Sequence, residues 1–184
     1  MTSRDPHRRR RILDATRALI PRHGIAGITH RLVAAEAGVP VGSTTYYFAD
    51  LADLTEAALA DTAEATRAVL AEWAEELAHS ADLPATLSAL AVGYLDHPEQ
   101  TLTVNELYLA AARHHELRAL AQVWFDGLVE ILTPHIGTTA ARAIAMYLDG
   151  VLLHALSSDS TINTTALTTP LAALAALGDK PADG

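Results

Sequence analysis

The chain has no cysteine, so disulfides and thiolate metal sites are excluded and nothing points to an oxidising compartment. It has no apolar run near the roughly 20 residues that span a bilayer. The longest, around Val151 to Leu156, contains His154 and lies between Asp149 and Asp159. The first residues are charged and carry no apolar stretch of signal-peptide length, which predicts a cytoplasmic protein with no membrane partner. A nucleophile elbow, a phosphate-cradling glycine loop and a pair of catalytic carboxylates are all missing, so no enzyme is predicted. His114 and His115 are adjacent and diverge on a helix, and no His-x-x-x-His with a carboxylate occurs, so neither a metal nor a cofactor is predicted. β-branched residues are scattered, while alanine and leucine dominate a chain that is 50% hydrophobic. That pattern predicts an all-α protein.

What is present is uneven. The net charge is −9. Residues 1 to 48 nevertheless hold eight arginines against Asp5, Asp14 and Glu36, which gives +5. The remainder holds five cations against nineteen acids, which gives −14. Attraction to phosphate is local and is screened within about 10 Å at 0.1 M salt, so the split favours nucleic-acid binding at one end only.

Ile28 to Phe48, ITHRLVAAEAGVPVGSTTYYF, reads as a short helix, a turn at Gly38 to Val41, and a second short helix opened by Gly42 or Ser43. This is the pattern of a helix-turn-helix, which places its second helix in the DNA major groove. A first helix is expected from about His7 to His23, ending at Gly24, and Thr29 is the expected cap of the second. Asp50 and Asp53 begin a long fourth helix reaching His79. Further helices are expected over about 83–96, 98–113, 116–132 and 138–157, and from the polar loop 158–165 to Gly178. The expected architecture is a three-helix head, residues 1–50, joined by the fourth helix to a helical body, residues 51–184, with about nine helices in all. Met1 to His7 reads as a flexible arm and 179–184 as a disordered tail.

Arg9 to Leu54 resembles the DNA-binding domain of TetR-family transcriptional regulators. The resemblance rests on Ile12-Leu13-Asp14-Ala15, Gly24, Ile28-Thr29, Val33-Ala34, Ala37-Gly38-Val39, Gly42-Ser43, Tyr46-Tyr47-Phe48 and Leu54, about a quarter of the chain. It implies a homodimeric repressor with a variable helical body that binds a small effector. Two departures stand out. The family often has a lysine at the start of helix four, where this chain has Leu51 beside Asp50 and Asp53, and often an aromatic where it has Thr45.

The candidate DNA contacts follow from residue chemistry within that frame. Arg31 can bind guanine bidentately or touch phosphate. Thr29 and His30 are placed at phosphate, with Thr29 also able to act only as a cap. Ser43, Thr44 and Thr45 are placed at base edges, and Tyr46 and Tyr47 at phosphates. Arg9 and Arg10, within the run Arg8 to Arg11, are placed at phosphate or the minor groove.

In the body, Tyr94, Glu106, Tyr108, Trp124 and His154 are candidates to line an effector cavity, each with an ordinary core role as the alternative. The scarcity of body cations implies a neutral, apolar or cationic ligand. Ile144, Tyr147, Leu148, Val151 and Leu152 form one apolar stripe, and Leu167, Leu171 and Leu174 another. By resemblance these pair with their copies across a dimer, although both could pack only within one protomer. Two heads about 34 Å apart would read a palindromic duplex DNA operator. The rival reading is a helical dimerising adaptor whose head has lost DNA binding through the acidic start of helix four.

Overall fold

The computed structural model describes residues 6–158 and 162–178. The expected tail, the first five residues of the expected arm and part of the loop before the last helix lie outside them. Among the described residues all regular structure is helical: α1 (Pro6–His23), α2 (His30–Glu36), α3 (Val41–Tyr47), α4 (Leu51–Ala78), α5 (Leu83–Leu95), α6 (Pro98–Arg113), α7 (Arg118–Ser157) and α8 (Thr164–Ala175). A 3-10 turn, Ile25–Gly27, joins α1 to α2, and another, His115–Leu117, precedes α7.

Local chemistry accounts for most of these boundaries. Thr29 caps α2 by accepting from the Leu32 amide at 3.1 Å. Asp50 accepts from the Asp53 amide at 2.9 Å, while Asp53 reaches back to the Ala49 amide at 2.8 Å. This reciprocal pair satisfies two amides at the start of α4, so the aspartates beside Leu51 have a structural task. Asp82 and Asn163 cap α5 and α8 in the same manner. The expected stop between Pro134 and Gly137 is milder than predicted. The chain stays helical through Pro134, turns at Gly137 (φ 77°, ψ 160°) and resumes at once, so α7 is two helical segments joined by a kink.

The chain forms two compact units. The first comprises Met1–Glu64 and Leu102–Ala121. Its core gathers Ile12, Leu19 and Ile20 of α1, Val33 of α2, Phe48, Leu54 and Leu59 of α4, and Leu107 of α6. The unit that contains the head therefore also takes in the front of α4 and most of α6. The second unit comprises Ala65–Thr101 and Gln122–Gly184. In it α8 packs along α5, with a Thr168–Ser88 hydroxyl bond at 3.0 Å, and Leu87, Leu128, Leu132, Ile144, Leu148 and Leu171 are buried. By length and composition α7 could cross a bilayer. Its buried face and its charges at Arg118, Asp126, Glu130, Arg142 and Asp149 identify it instead as a core helix.

Phe48 is 2% exposed and closes α3 onto the first core. Phe48→Ala is expected to cost about 3–5 kcal/mol, read as a lower urea midpoint. A change below 1 kcal/mol would show that α3 is not held by this ring.

Candidate nucleic-acid interface and ligand pocket

A helix of seven residues cannot persist alone in water, so α3 takes its orientation from its inner face. Thr44 supplies that face. It is 0% exposed, donates to the Val41 carbonyl at 2.8 Å and bonds His30 Nδ1 at 3.0 Å. Ser43 is buried beside it. This corrects the expectation that all three hydroxyls face DNA: Thr44 has no surface to present and Ser43 very little. With these two turned inward, Val41 (45% exposed), Gly42, Thr45 and Tyr46 (57% exposed) turn outward. Tyr47 is half-buried against the core, edge-on to Tyr46 with ring centroids 5.1 Å apart.

Val41, expected in the turn, is the first residue of α3. An exposed apolar residue in the first turn of such a helix can meet a thymine methyl. The signal was the missing apolar partner for Val41 on any helical stripe.

On α2, Arg31 is exposed, Thr29 is exposed but engaged as the cap, and His30 is half-buried through its bond to Thr44. The arginine run is less uniform than it reads. Arg10 pairs with Asp14 at 3.0 Å and Asp61 at 2.9 Å, and Arg9 lies over the Phe48 ring at 5.2 Å. Arg22 pairs with Glu36. Part of the head's positive charge thus secures the head itself.

The expected effector residues fall into two groups. Tyr94 and Trp124 belong to the second unit, where they stack at 4.7 Å with Trp73 edge-on at 6.2 and 5.5 Å. The Tyr94 hydroxyl and Trp124 Nε1 are buried without a hydrogen-bond partner, and burial pushes the Tyr94 phenol well above its usual value. Glu106 and Tyr108 belong to the first unit, where Glu106 accepts from the Ile25 amide and Tyr108 packs on the head core. His154 is exposed. A separate cavity of about 260 Å³ in the second unit is lined by Val92, Leu95, Asp96, Pro98, Thr101, Ala155, Leu156 and Ile162.

The expected dimer stripes are also corrected in part. Ile144, Leu148, Leu152, Leu167 and Leu171 are 0–3% exposed within a single chain, and Tyr147, Val151 and Leu174 are half-buried. A stripe at helical spacing reports burial without saying what covers it, and here the protomer's own core does. The outward apolar residues of α7 are Met146 (58% exposed) and Leu153 (57% exposed).

Residues 12–58 match the model for bacterial regulatory proteins of the tetR family, and residues 78–179 match the tetracyclin repressor-like C-terminal domain. The chain belongs to the TetR family of transcriptional regulators. A TetR-family member from Streptomyces coelicolor A3 shares 39% identity over 91% of this chain and 97% of its own, with a TM-score of 0.81. Multidrug binding protein EbrR in complex with malachite green shares 39% identity over 90% of this chain and 96% of its own, with a TM-score of 0.78. EbrR in complex with ethidium shares 40% over 92% and 99%, with a TM-score of 0.76. Comparison with the curated proteins gives no match. As a TetR-family regulator the chain has an N-terminal DNA-binding domain and a C-terminal ligand-binding domain.

An unpartnered buried hydroxyl is a liability, so Tyr94→Phe is expected to leave stability unchanged or raise it by up to about 1 kcal/mol at neutral pH. The native phenol's raised pKa means that the unfolded chain ionises first, near pH 10. Stability is therefore full below that value and falls as pH rises beyond it. Tyr94→Phe should flatten this alkaline fall in urea titrations. Marked destabilisation at pH 7 would mean the hydroxyl has a partner.

Proposed function

We propose that this TetR-family regulator is a homodimeric repressor whose heads grip a palindromic operator and release it when a flat aromatic cation enters the body. The observation that carries the DNA reading is the outward face of α2 and α3. Arg31, Val41, Thr45 and Tyr46 combine a bidentate donor, a methyl-sized apolar contact, a hydroxyl and a phenol on one exposed surface. Arg9 and Arg11 lie exposed on the same arginine-rich head. Ser43 and Thr44 serve by orienting α3 rather than by touching bases, and His30 supports Thr44.

A second copy of the chain supplies the second head. The seam we assign uses the outward residues Met146, Gly150 and Leu153 of α7 with the small, exposed Ala172 and Ala173 of α8 and Ala176 just beyond its end. Small residues let two helices approach closely, and the buried stripes behind them keep those helices rigid.

The ligand class rests on two supports. The rings of Trp73, Tyr94 and Trp124 form a ready stacking platform with two unused polar atoms. The body is also strongly acidic, with few cations to repel a positive ligand. EbrR is bound to malachite green, proflavin and ethidium. A planar ring inserted between Tyr94 and Trp124 would open their stack to about 7 Å, two aromatic contacts of about 3.5 Å. It would gain stacking and cation–π energy there.

The DNA reading is tested on a duplex selected from a random pool by the wild-type protein. Arg31→Ala should weaken binding ten- to a hundredfold, about 1–3 kcal/mol, and relax preference at one base of each half-site. Leu153→Asp should give monomers by sedimentation and lose the tight complex. Failure of the wild-type protein to enrich any duplex at low salt would overturn the reading. For the ligand, both tryptophans lie in the one ring cluster, so intrinsic fluorescence reports on it directly. Proflavin should quench it saturably, and Trp124→Leu should weaken proflavin binding at least tenfold. Unchanged affinity in that variant would place the ligand elsewhere.

A further inference from the structure

Ile25 opens the 3-10 turn between α1 and α2, and its amide finds no acceptor within its own helix. The turn is weakly held from inside. Its own bonds, from the Gly27 amide to the Gly24 carbonyl and from the Ile28 amide to the Ile25 carbonyl, are 3.2 and 3.3 Å long. The acceptor for the Ile25 amide comes from 81 residues away. Glu106 Oε2, on α6, takes the N–H at 3.2 Å in a half-buried setting. A carboxylate acceptor makes such a bond stronger than a neutral one of the same kind.

The preceding residue is shaped to this carboxylate. Gly24 has φ 66° and ψ 163°, a conformation essentially reserved for glycine. A Cβ there would stand 3.1 Å from Glu106 Oε2 and 3.6 Å from Oε1, so the carboxylate lies across the face that glycine leaves bare. Two independent demands, backbone conformation and space for a carboxylate, therefore coincide at the turn that sets the angle between α1 and α2.

All of these groups belong to the first unit. Leu107, Ala110 and Ala111 of α6 are 3–8% exposed and share one core with Ile12 and Ile20 of α1 and Val33 of α2. Glu106 is thus delivered to the turn by a packed helix. Arg22 also ties α1 to α2, through Glu36 at 2.8 Å, but both side chains are exposed and solvent weakens that pair. The half-buried bond from Glu106 is the firmer of the two ties.

We propose that Glu106 is a positioning residue for DNA binding: its carboxylate, seated over Gly24, latches the α1–α2 turn and so fixes the angle at which α2 and α3 leave α1. The inference rests on the reading that the outward face of α2 and α3 meets DNA. It gives Glu106 a task other than effector contact, and explains why a carboxylate stands beside a main-chain amide of the head.

Residue-resolved amide hydrogen exchange of the full chain reads the latch directly. In the wild-type protein the Ile25 amide should exchange at least about tenfold more slowly than in an unstructured peptide of the same sequence. It should quicken in Glu106→Ala and return towards the wild-type rate in Glu106→Gln, which keeps an acceptor oxygen. Amides of residues 13–20 in α1 should keep their rates; equal quickening there would signal a general loss of stability and count against the latch. Gly24→Ala should act on Ile25 as Glu106→Ala does, because the new methyl displaces the carboxylate. With the selected duplex as probe, Glu106→Ala should bind about tenfold more weakly, the loss of one hydrogen bond to a charged group, and Glu106→Gln should recover most of that. Gly24→Ala should cost less duplex affinity in the Glu106→Ala background than in the wild type, and equal costs would break the assigned fit between the two residues. An Ile25 amide that exchanges at the peptide rate in the wild type, or Glu106→Ala with unaltered exchange or unaltered duplex affinity, would overturn the proposal. A wild-type protein that enriches no duplex would sink the DNA reading, while exchange at Ile25 still decides whether the carboxylate holds the turn.

Discussion

The inward bond between Thr44 and His30 is the constraint from which the DNA-binding surface follows. A seven-residue helix has too few internal hydrogen bonds to repay its nucleation, so α3 exists only where tertiary packing holds it. Thr44 fixes its rotation, and Phe48 fixes the end of the chain segment to the core. Once the rotation is set, the hundred-degree step of the helix leaves Val41, Thr45 and Tyr46 no direction but outward. The outward face of α3 is a consequence of which side chains the core has claimed.

Electrostatics adds a second layer with a different logic. Arg10 and Arg22 pair with Asp14 and Glu36, acids already counted in the head's +5, and Arg10 also reaches Asp61 of α4, so only that last contact draws on the surplus. What distinguishes the head is that positive charge stays exposed on it while the remaining residues carry −14. At cellular salt, fields reach less than a helix diameter, so the acidic body does not cancel the head's attraction to phosphate. It instead disfavours approach of DNA from any other side and suits a cationic ligand.

Much of this was legible in the sequence because local chemistry decides it. Thr29 and Asp50 cap the helices they were expected to begin, and Gly24 ends α1 as its position implies. The family pattern in the head identified the fold. What was not legible depends on partners remote in sequence. Nothing near Glu106 announces that its carboxylate will meet Ile25, and nothing near Thr44 says that His30 will draw it inward. The stripes at Ile144–Leu152 and Leu167–Leu171 were correctly seen as buried faces, but periodicity cannot tell a protomer's core from a subunit seam. Val41 falls in the expected turn Gly38 to Val41, whereas Pro40 occupies the N-cap position without a side-chain bond and Val41 is the first residue of α3.

The two units face opposite demands in the proposed function: the head stays rigid enough to aim four side chains, and the body yields enough to admit a ring between Tyr94 and Trp124. Helices α4, α6 and α7 each contribute residues to both units. The central claim is that DNA meets only the head, through the outward face of α2 and α3 and the arginines of α1. Amide hydrogen exchange of the intact protein with and without the selected duplex tests it most directly. Slowed exchange confined to peptides within residues 28–48 and the α1 arginines, with peptides in 122–157 unchanged, is the expected pattern. Equal exchange across residues 28–48 in the presence of bound DNA, or protection centred on the acidic body, would contradict it.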